Sequence, residues 1–553
     1  MKIKKKPGRY SPLFLIIIFG AVAIRLFGIN WDQGYYLHPD ERMIFFVAHR
    51  LDWPKDLAEF FQKQSPLNPK FFAYGSWPIY LLRGAFSLAG LFNPNLATYS
   101  KSYLVGRILS VTFELGIIIF LMKLGAQMAN KKAALWSGFF YTLTILPVQL
   151  AHFYTVDTPL TFFIIGAIFF SCRFIDQPKK KFLIWSGVFF GMALASKIAA
   201  LPFGLVALGA SLLAYQPIGK IAWRKIIISL FAFGGTAVLV FVFLSPYALI
   251  DADTFIKQVK EQQVMTKDPF VFPYTLQYVN TPPYWYQLKN YFLWGAGPFL
   301  AGAACFSWLL LADRMLRKRK TQANQNKKIA LLLGISLIYF LIVGRFSVKF
   351  MRYLLPLYPL MALLTGLFFS KQKPWTRWLV SLPSMIWLLA FLSIYAKPHS
   401  RIEASSWINQ SIPAGSTIAI EHWDDHLPLF GQENYQFQVL ELYQPESFAK
   451  WEKIDQQLER ADYLIIASHR LYQPLSRLTD CARLPANRCY SETAQHYQKL
   501  FSDQLPFQKV AEFYPQPEIK IGSKTILIND FGADESFIVY DHPPITIFKK
   551  SLL

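Results

Sequence analysis

The chain has 553 residues, of which 53% are apolar, 17% aromatic and only 16% charged. Soluble globular chains carry about 25% charged residues, so this composition points to a membrane, while 50 Phe, 28 Tyr and 15 Trp exclude a disordered chain. Four cysteines exclude a disulfide framework, and the net charge of +23 does not make a nucleic-acid binder: residues 397–553 carry 15 Lys/Arg against 20 Asp/Glu, so the basic excess belongs to the short segments between apolar runs.

A spanning helix needs about 20 mostly apolar residues. The first candidate, 12–29, follows the basic start MKIKKKPGRY and reads as an uncleaved span with its N-terminus in the cytoplasm. Residues 30–102 form a long outer loop. Further runs fall near 103–123, 133–150, 158–175, 182–197, 199–215, 226–248, 291–312, 328–344, 353–370 and 376–396, which makes eleven. The loops KLGAQMANKK, DQPKKK, QPIGKIAWRK, RMLRKRKTQANQNKK and KQKPWTR are basic and are expected in the cytoplasm. AHFYTVD, the turn at Lys197, an outer loop over 250–290 and GRFSVKFMR then fall on the other side. Residues 397–553 read as a soluble outer domain, with helices at EASSWINQ and KWEKIDQQLERA and strands at STIAIEH, DYLIIAS and ITIF, an α/β pattern. The expected architecture is a polytopic helical membrane protein with an extracytoplasmic α/β domain. Cys481 and Cys489, eight apart in that domain, read equally as a disulfide or as two free thiols.

Ionisable residues at membrane boundaries are costly and usually functional. This topology gathers such residues on one face: His38, Asp40 and Glu41 in YYLHPDERM, His152 and Asp157 in AHFYTVDTP, Lys197, and Arg345, Lys349 and Arg352 in GRFSVKFMRYLLP. A carboxylate can take a proton from an attacking group. Lysine and arginine can neutralise a departing phosphate. The inferred chemistry is group transfer from a lipid phosphate to an acceptor outside the cytoplasm. The plainer readings are that Asp40 and Asp157 cap helices and that the cations contact headgroups.

LHPDE at 37–41, NPKFFAYGSWPIYLL at 68–82, AHFYTVDTP at 151–159 and KFMRYLLPLYP at 349–359 resemble the GT-C glycosyltransferases of the protein O-mannosyltransferase and lipid A aminoarabinose transferase superfamily. More narrowly, the chain is similar to bacterial phospholipid-carrier-dependent glycosyltransferases, which EHWDDHLP and ADESFIVYDHPPITIFKK also match. The resemblance implies inverting transfer from a polyprenyl-phosphate sugar to a protein hydroxyl, glycan or lipid, at the cell membrane and without nucleic acid. It implies Asp40 as base, Glu41 as a site-shaping acid and Asp157 as the second outer-loop acid. Lys197, Arg345, Lys349 and Arg352 are the implied phosphate ligands, with Lys70 and Tyr74 of second rank. No cofactor is expected; a divalent ion at His38 and His152 has no ligand spacing to support it. Asp424 and Asp425 are expected on the domain surface or facing the acceptor. The competing function is a transporter of lipid-linked sugars, which should show matched halves and midplane polar sites; the sequence shows no matched halves.

Overall fold

The computed structural model describes residues 12–215, 222–317 and 324–551. The basic N-terminal segment and parts of the basic loops at 216–225 and 314–328 lie outside the described residues.

Each apolar run coincides with helix. In chain order these are α1 (Pro12–Leu26), α2 (Pro39–Arg50), α3 (Trp77–Phe92), α4 (Tyr99–Met128), α5 (Lys131–Thr142), α6 (Ile145–Ala151), α7 (Asp157–Asp176), α8 (Lys180–Ser196) and α9 (Leu205–Ala214). They continue as α10 (Trp223–Leu244), α11 (Ala252–Lys267), α12 (Pro298–Arg317), α13 (Asn324–Gly344), α14 (Leu357–Phe369) and α15 (Pro374–Leu392). Among the described residues, six of these (α4, α7, α10, α12, α13 and α15) are long and apolar enough to cross a membrane unbroken. The eleven expected spans are therefore not eleven regular helices. The run 133–150 is the pair α5 and α6, bent by 64°. Pro147 cannot donate to the carbonyl of Leu143, and the helical ladder breaks there. The run 199–215 starts as a 3-10 segment, Ile198–Gly204, before α9. α14 is short because residues 345–356 lie outside regular α-helix and end in Pro356. The protein is a multi-pass membrane protein.

α7 is the innermost spanning helix: 83% of its most apolar stretch is buried, against 22% for α10. It packs on α4 and α8, and α5 packs on α4 and α14. Polar side chains at its N-terminal end are thus surrounded by protein rather than lipid.

Beyond α15 come α16 (Ser400–Ser411), β1 (Thr417–Glu421), β2 (Gln436–Leu440), α17 (Phe448–Arg460), β3 (Tyr463–Ile466), α18 (Ser491–Phe501), β4 (Phe507–Phe513), β5 (Glu518–Ile521), β6 (Lys524–Leu527) and β7 (Ile545–Lys550). Five strands form a mixed sheet in the order β2-β1-β3-β7-β4, parallel among β1, β2 and β3 and antiparallel at β7. β5 and β6 pair as a separate hairpin. Cys481 and Cys489 are joined as a disulfide.

One stretch of this region belongs to the helical core. Ala533 and Phe537–Tyr540 pack in the same apolar cluster as α4, α7 and α14. Gln149 donates to the Phe537 carbonyl at 2.7 Å, and Tyr395 donates to Asp541 at 2.7 Å. His542 is sealed between Asp541 and Asp530, the latter at 2.8 Å. Burial disfavours the charged imidazole, but the two carboxylates outweigh it and raise its pKa to about 10. A histidine raised in this way stabilises the fold fully below its unfolded value near 6.5 and loses that contribution as pH rises through about 10. Melting temperature should therefore fall between pH 7 and 10, and fall less steeply in His542→Gln. Equal slopes in differential scanning fluorimetry would refute the assignment.

Candidate active site

Local sequence rules fix each site residue. In His38-Pro39-Asp40-Glu41 the His38 side chain accepts the Glu41 N–H and caps α2, while Pro39 starts the helix without needing a donor. The two acids then occupy the first turn, where the helix dipole favours them. Asp157 is the first residue of α7, two before Pro159, so its carboxylate also lies in a first helical turn, here without a side-chain cap. Lys197 ends α8 in extended conformation. Tyr74 is set by Gly75, whose φ is +69° and whose backbone meets the end of α8: a Cβ there would lie 2.4 Å from the carbonyl oxygens of Ala195 and Ser196. Only glycine allows that approach. Arg352 sits in a 3-10 turn, Met351–Leu354, with its guanidinium 4.2 Å from the Phe350 ring centroid.

These residues converge. Tyr74 donates to Asp40 Oδ1 at 2.7 Å. Arg352 Nη2 lies 3.2 Å from Asp40 Oδ2, and Arg352 Nε lies 3.7 Å from Asp157 Oδ2. Lys197 Nζ lies 2.9 Å from Asp157 Oδ1 and over the Tyr353 ring. The side chains of Asp40, Asp157, Lys197 and Arg352 are 15%, 5%, 17% and 12% exposed. Burial pushes the Asp40 carboxyl up, but Arg352, His38, Tyr74 and Lys197 together hold it below the usual carboxylate value. Asp40 is therefore ionised at neutral pH. Arg352 Nη1 is buried without a hydrogen-bond partner, so one donor of the fork is free.

Two cavities meet at this cluster. One, of about 370 Å³, is lined by Asp40, Tyr74, Tyr274, Trp423, Arg470 and Tyr540 among others. The other, of about 270 Å³, is mostly apolar, lined by Leu160, Ile198, Leu201, Val259, Ile342 and Phe346. Asp157, Lys197, Arg352 and Tyr353 belong to both. An anion at the junction would meet two cations, with a carboxylate on the polar side and an apolar channel behind.

Residues 96–250 match the family of dolichyl-phosphate-mannose-protein mannosyltransferases. The structure of the Archaeoglobus fulgidus oligosaccharyltransferase in its apo form superposes with a TM-score of 0.51 at 13% identity, covering 93% of this chain and 75% of that one. The chain has the GT-C glycosyltransferase fold. ArnT from Cupriavidus metallidurans bound to undecaprenyl phosphate is more distant at a TM-score of 0.47 and 12% identity, covering 84% of this chain and 95% of that one. The Saccharomyces cerevisiae protein O-mannosyltransferase Pmt1-Pmt2 complex bound to its sugar donor scores 0.33 at 16% identity, covering 45% of this chain and 35% of that one. No curated protein matches the chain in sequence. The family match is confined to residues 96–250, and the likeness to the solved structure is one of fold.

Within this GT-C fold, Asp40, Asp157, Lys197, Arg352 and Tyr74 are brought together, and the other expected site residues are not. Glu41 does not face either cavity. It is fully buried against Arg107, which also holds Asp32 at 2.9 Å, and it accepts the Tyr154 N–H. Next to a residue at the second helical position, the third points elsewhere around the helix, so adjacent acids cannot share one pocket. Arg345 is exposed and outside both cavities. Lys349 is buried, donates to the Ser347 carbonyl at 2.8 Å and lines neither cavity; burial lowers its pKa to about 8. Lys70 is exposed, with φ +49°. His38 packs with a tilted ring on Tyr540 and His152 stacks on Tyr395, and among the described residues no group of three or more His, Cys, Asp or Glu converges as metal ligands do. Asp424 is not on a surface: it pairs with Arg401 at 2.7 Å, and Asp425 bridges Arg401 and Arg42.

Among the lining residues that sequence reasoning missed are Tyr274, Tyr353, Trp423, Arg470 and Tyr540. Trp423 has φ +76°, a strained conformation for a bulky residue and a recurrent mark of functional sites. It lies in EHWDDH, and Tyr540 lies in ADESFIVYDHPP, both stretches that carry the family resemblance. Nothing in the sequence singles out Arg470, which pairs with Glu535 at 2.7 Å.

Proposed function

We propose that the protein transfers a glycosyl group, with inversion, from a polyprenyl phosphate to an extracytoplasmic acceptor (a protein hydroxyl, a glycan or a lipid). The free Arg352 donor at the junction of the two cavities carries this reading. The isoprenoid occupies the apolar cavity and its phosphate lies against Arg352 and Lys197. The sugar projects into the polar cavity. The acceptor oxygen or nitrogen attacks the anomeric carbon as Asp40 takes its proton. The bond from that carbon to the phosphate oxygen breaks, and its electron pair leaves with the lipid phosphate, whose charge the two cations meet.

The ion pairs give the cycle a sequence. In the resting site Arg352 holds Asp40 ionised and weakly basic. An arriving phosphate competes for Arg352 and loosens its grip on the carboxylate. Asp40 then gains basicity in the complex that needs a base. Asp157 keeps Lys197 and Arg352 in place. The site lies on the extracytoplasmic face of the cell membrane, with the N-terminus in the cytoplasm and no bound cofactor.

The test is purified protein incubated with radiolabelled polyprenyl-phosphate sugars and membrane extract as acceptor source. The expected result is label in a product other than the donor, dependent on the polyprenyl chain. Movement of donor across proteoliposomes without glycosidic-bond formation would instead support transport.

A further inference from the structure

The hairpin β5–β6 has no part in the reaction. It pairs Ile519 with Ile526 and Ile521 with Lys524, so Ile519, Ile521 and Ile526 share one face. Ile521 and Ile526 are 63% and 51% exposed, and Leu527, on the other face opposite Glu518, is 58% exposed. A two-stranded hairpin with an uncovered apolar face is marginal in water. Its base is tied to the end of a spanning helix: the Glu518 N–H donates to Ser393 Oγ at 2.9 Å, Lys397 pairs with Glu518 at 2.6 Å, and Ile528 packs on the helical core. Ser393 directly follows α15, whose Leu382, Ile386 and Leu389 are 49%, 49% and 58% exposed. Leu389 is about one helical turn, roughly 6 Å, before Ser393. The exposed apolar band of α15 thus leads to the hairpin, where Lys520 and Lys524 are also exposed.

We propose that β5–β6 lies in the interfacial layer of the bilayer at the end of α15. Ile521 and Ile526 contact acyl chains, while Lys524 at the tip of the same face and Lys520 on the other extend to lipid phosphates, as long cationic side chains do at interfaces generally. The contact anchors the sheet-bearing region beside the membrane. It rests on α15 crossing the bilayer and is independent of the reaction assigned above.

The full chain is tested in nanodiscs of phosphatidylcholine and phosphatidylglycerol, after replacing the free cysteines Cys172 and Cys305 by alanine. A polarity-sensitive fluorophore on Ile526→Cys should emit to the blue and lose about half its intensity with brominated acyl chains, as expected for an interfacial group. The same label on Lys453→Cys, on exposed α17, should do neither. Water-like, unquenched emission at both positions overturns the proposal. Disulfide cross-linking of two Ile526→Cys chains without quenching would assign the face to a second copy and also overturn it. In unlabelled protein, Ile521→Asp with Ile526→Asp should speed amide hydrogen exchange over 518–527 about tenfold in nanodiscs with exchange elsewhere unchanged. Unchanged exchange at the hairpin counts equally against it.

Discussion

Asp40→Asn should lower turnover about a thousandfold, the effect of losing a positioned base and equivalent to about 4 kcal/mol of transition-state stabilisation. The substitution is nearly isosteric. Asparagine still accepts the Tyr74 hydroxyl, which donates to Asp40 at 2.7 Å in the native site. The cap of α2 is unaffected, because it is made by His38. Folding and donor binding should persist with a lowered melting temperature, because the Asp40 charge opposite Arg352 is lost while Asp157 remains as the arginine's second carboxylate. Asp157→Asn is the informative companion. Its carboxylate faces cations, Lys197 at 2.9 Å and Arg352 at 3.7 Å, so its loss should act mainly on donor KM. Turnover in Asp40→Asn within threefold of wild type would remove Asp40 from the base position.

The parts of the site legible in the sequence are those fixed by local rules. Asp40 and Asp157 each open a helix beside a proline, and Lys197 closes one, so short motifs place them and the topology puts them on one face. Three expectations failed for reasons that lie beyond local pattern. Glu41 is adjacent to Asp40 in sequence, but helix geometry turns it toward Arg107, a partner 66 residues away. Arg345 and Lys349 share a loop with Arg352, yet only Arg352 is aimed at the acids, because the 3-10 turn and the Phe350 ring set its direction. Asp424 looks like a surface acid until Arg401, from another element, is packed against it. The apolar runs were legible as helices by hydrophobic length. Their breaks were less so: Pro147 and Pro202 mark them locally, but whether a proline bends, interrupts or merely starts a helix depends on packing that no single run encodes. The wall contributed by Trp423, Arg470 and Tyr540 depends on a long-range docking of residues 533–542 into the helical core, which leaves no periodic signal.

Arg352 should show the second large effect, and its pH dependence separates structure from chemistry. Arg352→Lys keeps a charge but loses the fork that spans Asp40 at 3.2 Å and Asp157 at 3.7 Å. Turnover should fall about a hundredfold or more, the usual loss when one donor to a developing oxyanion is removed. Arg352→Gln should fall further and be less stable by about 3–5 kcal/mol, because two buried carboxylates lose a shared cation. The sign of the pH effect follows from Asp40. Burial raises its carboxyl, and Arg352 is the largest of the influences that lower it, giving a net value below 3.8. A depressed carboxyl contributes stability above its unfolded value and loses it as pH falls through the folded value. In the wild type the acid limb of kcat/KM should therefore lie below pH 3.8. Without Arg352 the carboxyl rises, so the limb should move upward in Arg352→Gln and less so in Arg352→Lys. A purely structural arginine would lower activity in both variants with the limb unmoved, so an unshifted limb would detach Arg352 from Asp40.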